Sequence, residues 1–292
     1  MSSSPLRELR ADDAEQVAAL FQETFGESRL IDAEEIRSWL GNDDLRPEWL
    51  RVLELDGRVV GYGDIYPDKR ELALDVAAPG HWHVFIDWAE DEARARSIPE
   101  VRLFFPHAHE LGQEAGARGY AHWHSSFRME IDLDGPTRPE LPDGLEVRRY
   151  TDGDVEELRQ AMNEAFVLDP MWQEVTPERF RGSFYLGSRG FDPALWAIAW
   201  DAHELAGFSL AYPGRGSDET LGWVGTLGVR EPWRRRGLGE ALLRTSFCDL
   251  WERGFRRAGL GVDIENVTGA LRLYERAGMR PVDRSESWAK RL

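Results

Sequence analysis

Apolar residues recur along the 292-residue chain in two rhythms, every second position over short runs and every third or fourth over longer ones. The first marks strands with one buried face, the second amphipathic helices. Strands are expected over Leu6–Leu9, Trp49–Leu55, Arg58–Tyr66, Glu71–Val76, Val101–Phe105 and Ser125–Leu133. Helices are expected between them, at Ala11–Phe25, Asp32–Leu40, Val84–Arg96 and Glu110–Arg118. Asp56-Gly57 joins two of the strands, and because both residue types tolerate positive φ it reads as a two-residue hairpin turn.

The rhythm breaks at residues 134–144, where three prolines and two glycines give a linker, and then it restarts. Beyond the break it predicts strands at Leu145–Arg148, Leu195–Trp200, Leu205–Tyr212, Leu221–Val229 and Ala258–Val262. The matching helices are Asp152–Phe166, Pro177–Ser183, Leu238–Arg253 and Thr268–Ala277, before a final extended segment. The halves also repeat residue by residue. Val60-Gly61-Tyr62 followed by Tyr66-Pro67 matches Ala206-Gly207-Phe208 followed by Tyr212-Pro213 at a constant offset of 146, and Asp13 corresponds to Asp154. A period this long indicates two tandem domains, residues 1–133 and 145–292, rather than a solenoid.

The chemistry concentrates in one stretch, Thr226–Leu243. A strand ends there in a turn, an Arg-rich loop punctuated by Gly237 and Gly239 follows, and a helix begins at Leu238 with Glu240 in its first turn. Glycines allow a ligand close to the backbone, and a helix start offers unpaired N–H groups and a positive dipole end. Arg234, Arg235 and Arg236 add forked donors suited to phosphate oxygens. The pattern is that of an anion cradle.

This half resembles the GNAT superfamily of N-acetyltransferases. The resemblance rests on Arg234-Arg235-Arg236-Gly237-Leu238-Gly239 after Leu227-Gly228-Val229, then on Asn266 at a strand end and Ala270-Leu-Arg-Leu-Tyr274 with Gly278-Met279 on the next helix. It implies an α/β (α+β) fold of two tandem GNAT-like domains, each a mixed, mostly antiparallel sheet with splayed central strands flanked by helices. It further implies acetyl-CoA as co-substrate, with main-chain groups of Leu227, Gly228 and Val229 on the pantetheine arm and the loop amides on the pyrophosphate. Asn266 would meet the arm, and Tyr274 would protonate the departing thiolate. Ala270, one helical turn before Tyr274, leaves room for a slim ligand. The implied reaction is acetyl transfer to an amine of a small molecule by direct attack, with no metal.

In the first half, matching Pro79 to Pro232 sets Val84 and Ile86 against the two glycines and His81, Trp82 and His83 against the arginines, so that half reads as degenerate. Tandem members with one degenerate half include mycothiol-synthase-like enzymes that acetylate an aminothiol precursor, which is the alternative reading. Such enzymes place an acid on the strand before the loop, where this chain has Trp223. A non-catalytic acyl-CoA-binding protein is the other alternative.

Composition narrows the field further. A net charge of −17 opposes nucleic acid or an anionic membrane as partner, and most of the excess acid lies in the first half. One cysteine, Cys248, excludes an intrachain disulfide. The N-terminus lacks the apolar core of a signal peptide, so a cytoplasmic protein, monomeric or homodimeric, is expected. Trp172 and Asp169 fall where the family covers its acceptor pocket, and Asp169, Glu164 and Asp263 are candidate bases by fold position. His81-X-His83, His107-X-His109 and His122-X-His124 would each place two imidazoles on one side of a strand.

Overall fold

The computed structural model describes residues 5–26, 29, 31–41, 45–169, 172–181, 191–214, 218, 220–265 and 269–292. They fall into two compact units, Met1–Ser126 with Asp283–Leu292, and Phe127–Val282.

The first unit opens with β1 (Leu6–Glu8), α1 (Ala14–Phe25), α2 (Ala33–Trp39), β2 (Leu50–Leu55), β3 (Arg58–Pro67) and β4 (Leu72–Ala77). Then come α3 (Trp82–Ala95), β5 (Glu100–Pro106), α4 (Leu111–Ala117) and the start of β6 (Ala121–Asp132). β1 to β4 pair antiparallel in sequence order, and β4 pairs parallel with β5 across α3. At the β2–β3 turn Asp56 and Gly57 both have positive φ, 51° and 75°, as the hairpin reading required. α3 lies close on the sheet because Gly61 and Gly63 leave room for Phe85: a Cβ on either would come within 2.7 and 2.5 Å of its ring.

The second unit repeats this order. β7 (Leu145–Arg149), α5 (Val155–Ala165), the single turn α6 (Pro177–Arg179), β8 (Trp196–Asp201) and β9 (Glu204–Tyr212) come first. β10 (Leu221–Val229), α7 (Leu238–Glu252), β11 (Arg257–Asp263), α8 (Ala270–Arg276) and β12 (Arg280–Arg291) complete the chain. β7 to β10 pair antiparallel in order, and β10 pairs parallel with β11. Each unit is thus a mixed, mostly antiparallel sheet flanked by helices. Asp13 and Asp154 sit alike at the entry to the first helix of each unit, where each accepts a backbone N–H three residues back, from Arg10 and Thr151, at 2.8 Å.

The compact units do not follow a cut at residues 134–144. Residues 285–291 of β12 pair antiparallel with Pro106–Glu100 of β5, so the end of the chain completes the first unit. Two contacts there explain why. Trp288 packs against Phe105, ring centroids 6.0 Å apart, and Lys290 reaches the buried Glu90 at 2.7 Å. The last strand supplies an apolar side chain to the first core and a counter-charge to an acid inside it.

Candidate functional site

The parallel ladder between β10 and β11 has three rungs, Leu221–Arg257, Gly222–Ala258 and Trp223–Gly259. Beyond the third, β10 runs on to Val229 and β11 to Asp263 with no further registered pair. β10 remains paired to β9 as far as Val229–Gly207, with a bulge between Val224 and Thr226. Such a bulge twists a strand away from its neighbour. The result is a wedge, one edge of β10 facing β11 without a strand in between. Gly225 and Gly261 are exposed although they lie in strand interiors; a Cβ on Gly225 would come 2.6 Å from the Tyr212 ring on β9, and one on Gly261 would meet nothing within 4 Å. The motif pattern does not mark these two glycines; the density of Gly222, Gly225 and Gly228 in one strand was the available signal.

The loop after β10 spans residues 230–237. Arg235 and Gly237 both have positive φ, 63° and 87°, and Gly237 is the N-cap of α7. Left-handed residues alternating with right-handed ones turn successive N–H groups to one side and form an anion-binding concavity. A Cβ on Gly237 would meet nothing within 4 Å, so this glycine is required by backbone conformation, and the space above it is open. Gly239 has a different reason. A Cβ there would come 3.0 Å from Leu273 Cδ1 and 3.6 Å from Val229, so it lets α8 pack against the start of α7.

The three arginines also separate. Arg234 donates from Nε to the Val229 carbonyl at 2.9 Å and from Nη2 to the Ala165 carbonyl at 2.8 Å, tying the end of β10 to the end of α5. Its guanidinium therefore acts as a brace between these two backbone segments. Arg236 donates to the Asp143 carbonyl at 3.2 Å, and Arg235 is exposed. Glu240 is drawn to Arg244, 3.0 Å away, one turn along α7.

Tyr274 lies on α8, buried in one cluster with Leu227, Val262, Leu243, Ala270 and Leu273. Side chains of β10, β11 and α8 thus meet around the tyrosine. Its phenol makes no hydrogen bond among the described residues, and burial pushes its pKa up to about 12. Asn266 lies outside the described residues.

Around α5, Trp172 stacks on Phe166 with centroids 4.4 Å apart and donates from its indole to Asn163 at 3.2 Å. Asp169 is half-buried, and its main-chain carbonyl accepts the N–H of Trp172 at 3.1 Å. Val167 and Leu168 between them are 72% and 64% exposed. Glu164 is held by Arg230 at 2.6 Å, and Asp263 accepts the backbone N–H of Glu265 at 2.6 Å. Cys248 is buried and donates to the Pro136 carbonyl, and burial pushes its thiol up.

The first unit has the same three-rung ladder, Leu72–Val101, Ala73–Arg102 and Leu74–Leu103, and then the same divergence. Its loop differs more than residue matching suggested. Only residues 78–81 separate β4 from α3, against residues 230–237 between β10 and α7. This loop is too short to hold counterparts of the cradle residues, and Trp82, His83, Val84 and Ile86 lie in the helix that follows it. The histidine pairs do not act as strand pairs either, except in position. His81 caps α3 and His83 is inside that helix, where neighbours two apart diverge. His107 sits 2.5 Å from Glu286, while His109 packs among Phe25, Trp82 and Phe105. His122 and His124 do lie on β6, the first exposed and the second buried.

Splayed parallel strands, a left-handed loop at a helix start and a buried tyrosine on the next helix together define an acyl-transferring class of fold. Residues 155–279 match the acetyltransferase (GNAT) family. The chain is 31% identical to the mycothiol acetyltransferase of Streptomyces coelicolor, over 78% of this chain and 75% of that one. Among solved structures it is similar to a GCN5-related N-acetyltransferase from Sphaerobacter thermophilus, 29% identical with a TM-score of 0.80, covering 98% and 95% of the two chains. It shares its fold with a tandem GNAT protein from the clavulanic acid biosynthesis pathway, TM-score 0.71 at 15% identity, covering 98% of each chain. The chain belongs to the GNAT family of acetyl-CoA-using enzymes, as a tandem-domain N-acetyltransferase. No helix among the described residues is long and apolar enough to cross a membrane.

Proposed function

We propose that the second unit holds acetyl-CoA in the wedge between β10 and β11 and directs its acetyl group to the amine of a small molecule by direct attack. The observation that carries this is the end of the β10–β11 ladder at Trp223–Gly259, which leaves the edge of β10 from Val224 to Val229 with no registered strand partner on that side. The residues fit such a ligand. Main-chain groups of Leu227, Gly228 and Val229 offer strand-type hydrogen bonds to an extended amide arm. The amides from Arg235 to Glu240 offer donors for a pyrophosphate, with open space above Gly237.

When bound, acetyl-CoA supplies an activated thioester. Ala270 and Leu273 would line its arm, and Tyr274 would hold a proton for the departing sulfur. With its pKa pushed up to about 12, Tyr274 is a weaker acid than an ordinary thiol at about 8.5. It therefore acts first as a hydrogen-bond donor that stabilises negative sulfur, and full transfer follows as burial raises the basicity of the thiolate in the same apolar place. Cys248, buried and held as a thiol, takes no nucleophilic part. Trp172, fixed by its stack and its indole hydrogen bond, and Asp169 form the wall on the acceptor side.

Calorimetric titration with acetyl-CoA tests the wedge. Wild type should bind and Gly237→Val should not; equal affinity would refute the placement. An amine panel scored by CoA release then addresses the acceptor. The names of the relatives favour a second reading, an aminothiol precursor. Trp223 in place of an acid opposes it, and turnover restricted to the cysteinyl pseudodisaccharide would establish it.

A further inference from the structure

In the first unit two aspartates face each other across neighbouring strands. Asp64 of β3 and Asp75 of β4 are registered partners. The matching Gly61-Tyr62 and Gly207-Phe208 place them at the rung held by Leu210 and Thr226 in the second unit. The acid pair therefore belongs to the first unit alone. Asp64 is 3% exposed, and the Asp75 side chain is 15% exposed. Arg29 forks onto both oxygens of Asp75, its guanidinium carbon 4.8 Å from the ring centre of Phe21 and 5.8 Å from that of Phe25. One cation thus serves two carboxylates in an aromatic setting. Burial, and the charge of Asp75, hold the Asp64 carboxyl up to about 7.

A separate observation points to a ligand at the same spot. Tyr62 is fully buried, packed between Phe21 and Trp39 with centroids 5.6 Å from each. Its hydroxyl lies beside the Asp64 carboxyl, yet it makes no hydrogen bond of normal geometry among the described residues. Buried hydroxyls nearly always have a partner, and an N–H donor placed between Tyr62 and the acids would provide one. Tyr66, on the same face of β3, also turns its hydroxyl to the Asp64 carboxyl while 46% of its surface is exposed, so it stands between the cluster and solvent.

We propose that Asp64, Asp75 and Tyr62 form a binding site for a small organic cation, an alkylguanidinium or a protonated primary amine, which Arg29 occupies from within the same chain. The two carboxylates supply charge, Phe21 and Phe25 flank the cationic head, and Tyr62 accepts one N–H. An incoming ligand displaces the Arg29 guanidinium, so the affinity seen in the wild-type chain is reduced by the fraction of time Arg29 sits in the site. The site is independent of acetyl-CoA binding by the second unit.

The test is calorimetric titration of the full chain with propylguanidinium and propylammonium at up to millimolar concentration. Wild type should bind one of them saturably. Arg29→Met keeps an apolar stem against Phe21 and Phe25 but removes the competitor, and should bind about 10-fold more tightly or better. Asp75→Asn and Asp64→Asn should each weaken binding about 10-fold or more in either background, and Tyr62→Phe should weaken it less. Saturable binding abolished by Asp75→Asn in the wild-type background supports the site even if Arg29→Met does not fold. Heats that never saturate, or an affinity that Asp64→Asn and Asp75→Asn both leave unchanged, overturn it. Acetyl-CoA affinity, measured on the same samples, should not move.

Discussion

Trp223 lies over Gly259, its partner on the last rung of the β10–β11 ladder, so closely that a Cβ on Gly259 would come 2.8 Å from the indole. The wedge starts at this contact. Gly259→Val should displace the ring toward the open side, costing about 1–3 kcal/mol of stability and weakening acetyl-CoA binding. Gly261→Ala, two residues on and facing open space, should leave stability within about 0.5 kcal/mol of wild type while still weakening acetyl-CoA. Urea titration and calorimetry separate the two effects. Full acetyl-CoA affinity in Gly261→Ala would show that the wedge is not the site.

The two loop glycines should respond differently. Gly237→Ala forces a side chain into φ 87° and should cost about 1–2 kcal/mol, with KM for acetyl-CoA raised at least about 10-fold. Gly239→Ala meets the flexible end of Leu273, which can shift, so a smaller loss with KM within about threefold is expected. Steady-state kinetics beside thermal melts decides between them. The reverse order would contradict the assignment of these two glycines.

Tyr274→Phe should lower kcat by about 10²- to 10⁴-fold with little change in KM, if as proposed the hydroxyl serves the departing sulfur and not the rest of the ligand. The pH profile carries further information. A phenol pushed up to about 12 stays protonated throughout the range from pH 6 to 9.5, so any limb in that range belongs to another group. The variant should keep the wild-type profile at a lower plateau. Loss of a basic limb in Tyr274→Phe would mean that the bound state lowers the phenol into that range.

The elements that were legible in the sequence are those with a local cause. Asp56-Gly57 dictates its turn through backbone conformation, Leu221–Val229 carries its own apolar pattern, and Asp13 and Asp154 announce helix starts by capping. Three features escaped because their causes are remote. The last strand looks like any extended segment, and its place in the first unit comes from its pairing with β5 and from the Trp288–Phe105 and Lys290–Glu90 contacts. The short loop at residues 78–81 was masked by the chance alignment of Pro79 with Pro232, which preserved a full-length match on paper. The role of Arg234 depends on carbonyls of Val229 and Ala165, the latter 69 residues away, which no motif encodes.

That division among the arginines is itself testable. Arg234→Ala strips donors from two carbonyls and should cost about 1–3 kcal/mol of stability. Arg235 is exposed with φ 63°, so Arg235→Gly should stabilise the chain by about 1 kcal/mol while raising KM for acetyl-CoA in a salt-dependent way. Melting curves and KM at two ionic strengths measure both. A destabilised Arg235→Gly would show that its side chain has a structural partner.

Asp64 gives a stability prediction whose sign follows from its surroundings. Burial, and then Asp75, raise its pKa from an ordinary 3.8 to about 7. Between these values the folded chain keeps a proton that the unfolded chain has released, so the contribution of Asp64 is complete below about pH 4 and is lost as pH rises through 7. Asp64→Asn removes that loss. The stability of the variant relative to wild type should therefore be flat below pH 4 and grow from pH 5 to 8, by at most about 1.4 kcal/mol per pH unit. His109, whose pKa burial lowers, contributes in the opposite direction but equally in both proteins, so it cancels in the difference. Urea unfolding at pH 5, 6, 7 and 8 reads the trend directly. A difference that stays constant across that range would mean that Asp64 is ionised throughout.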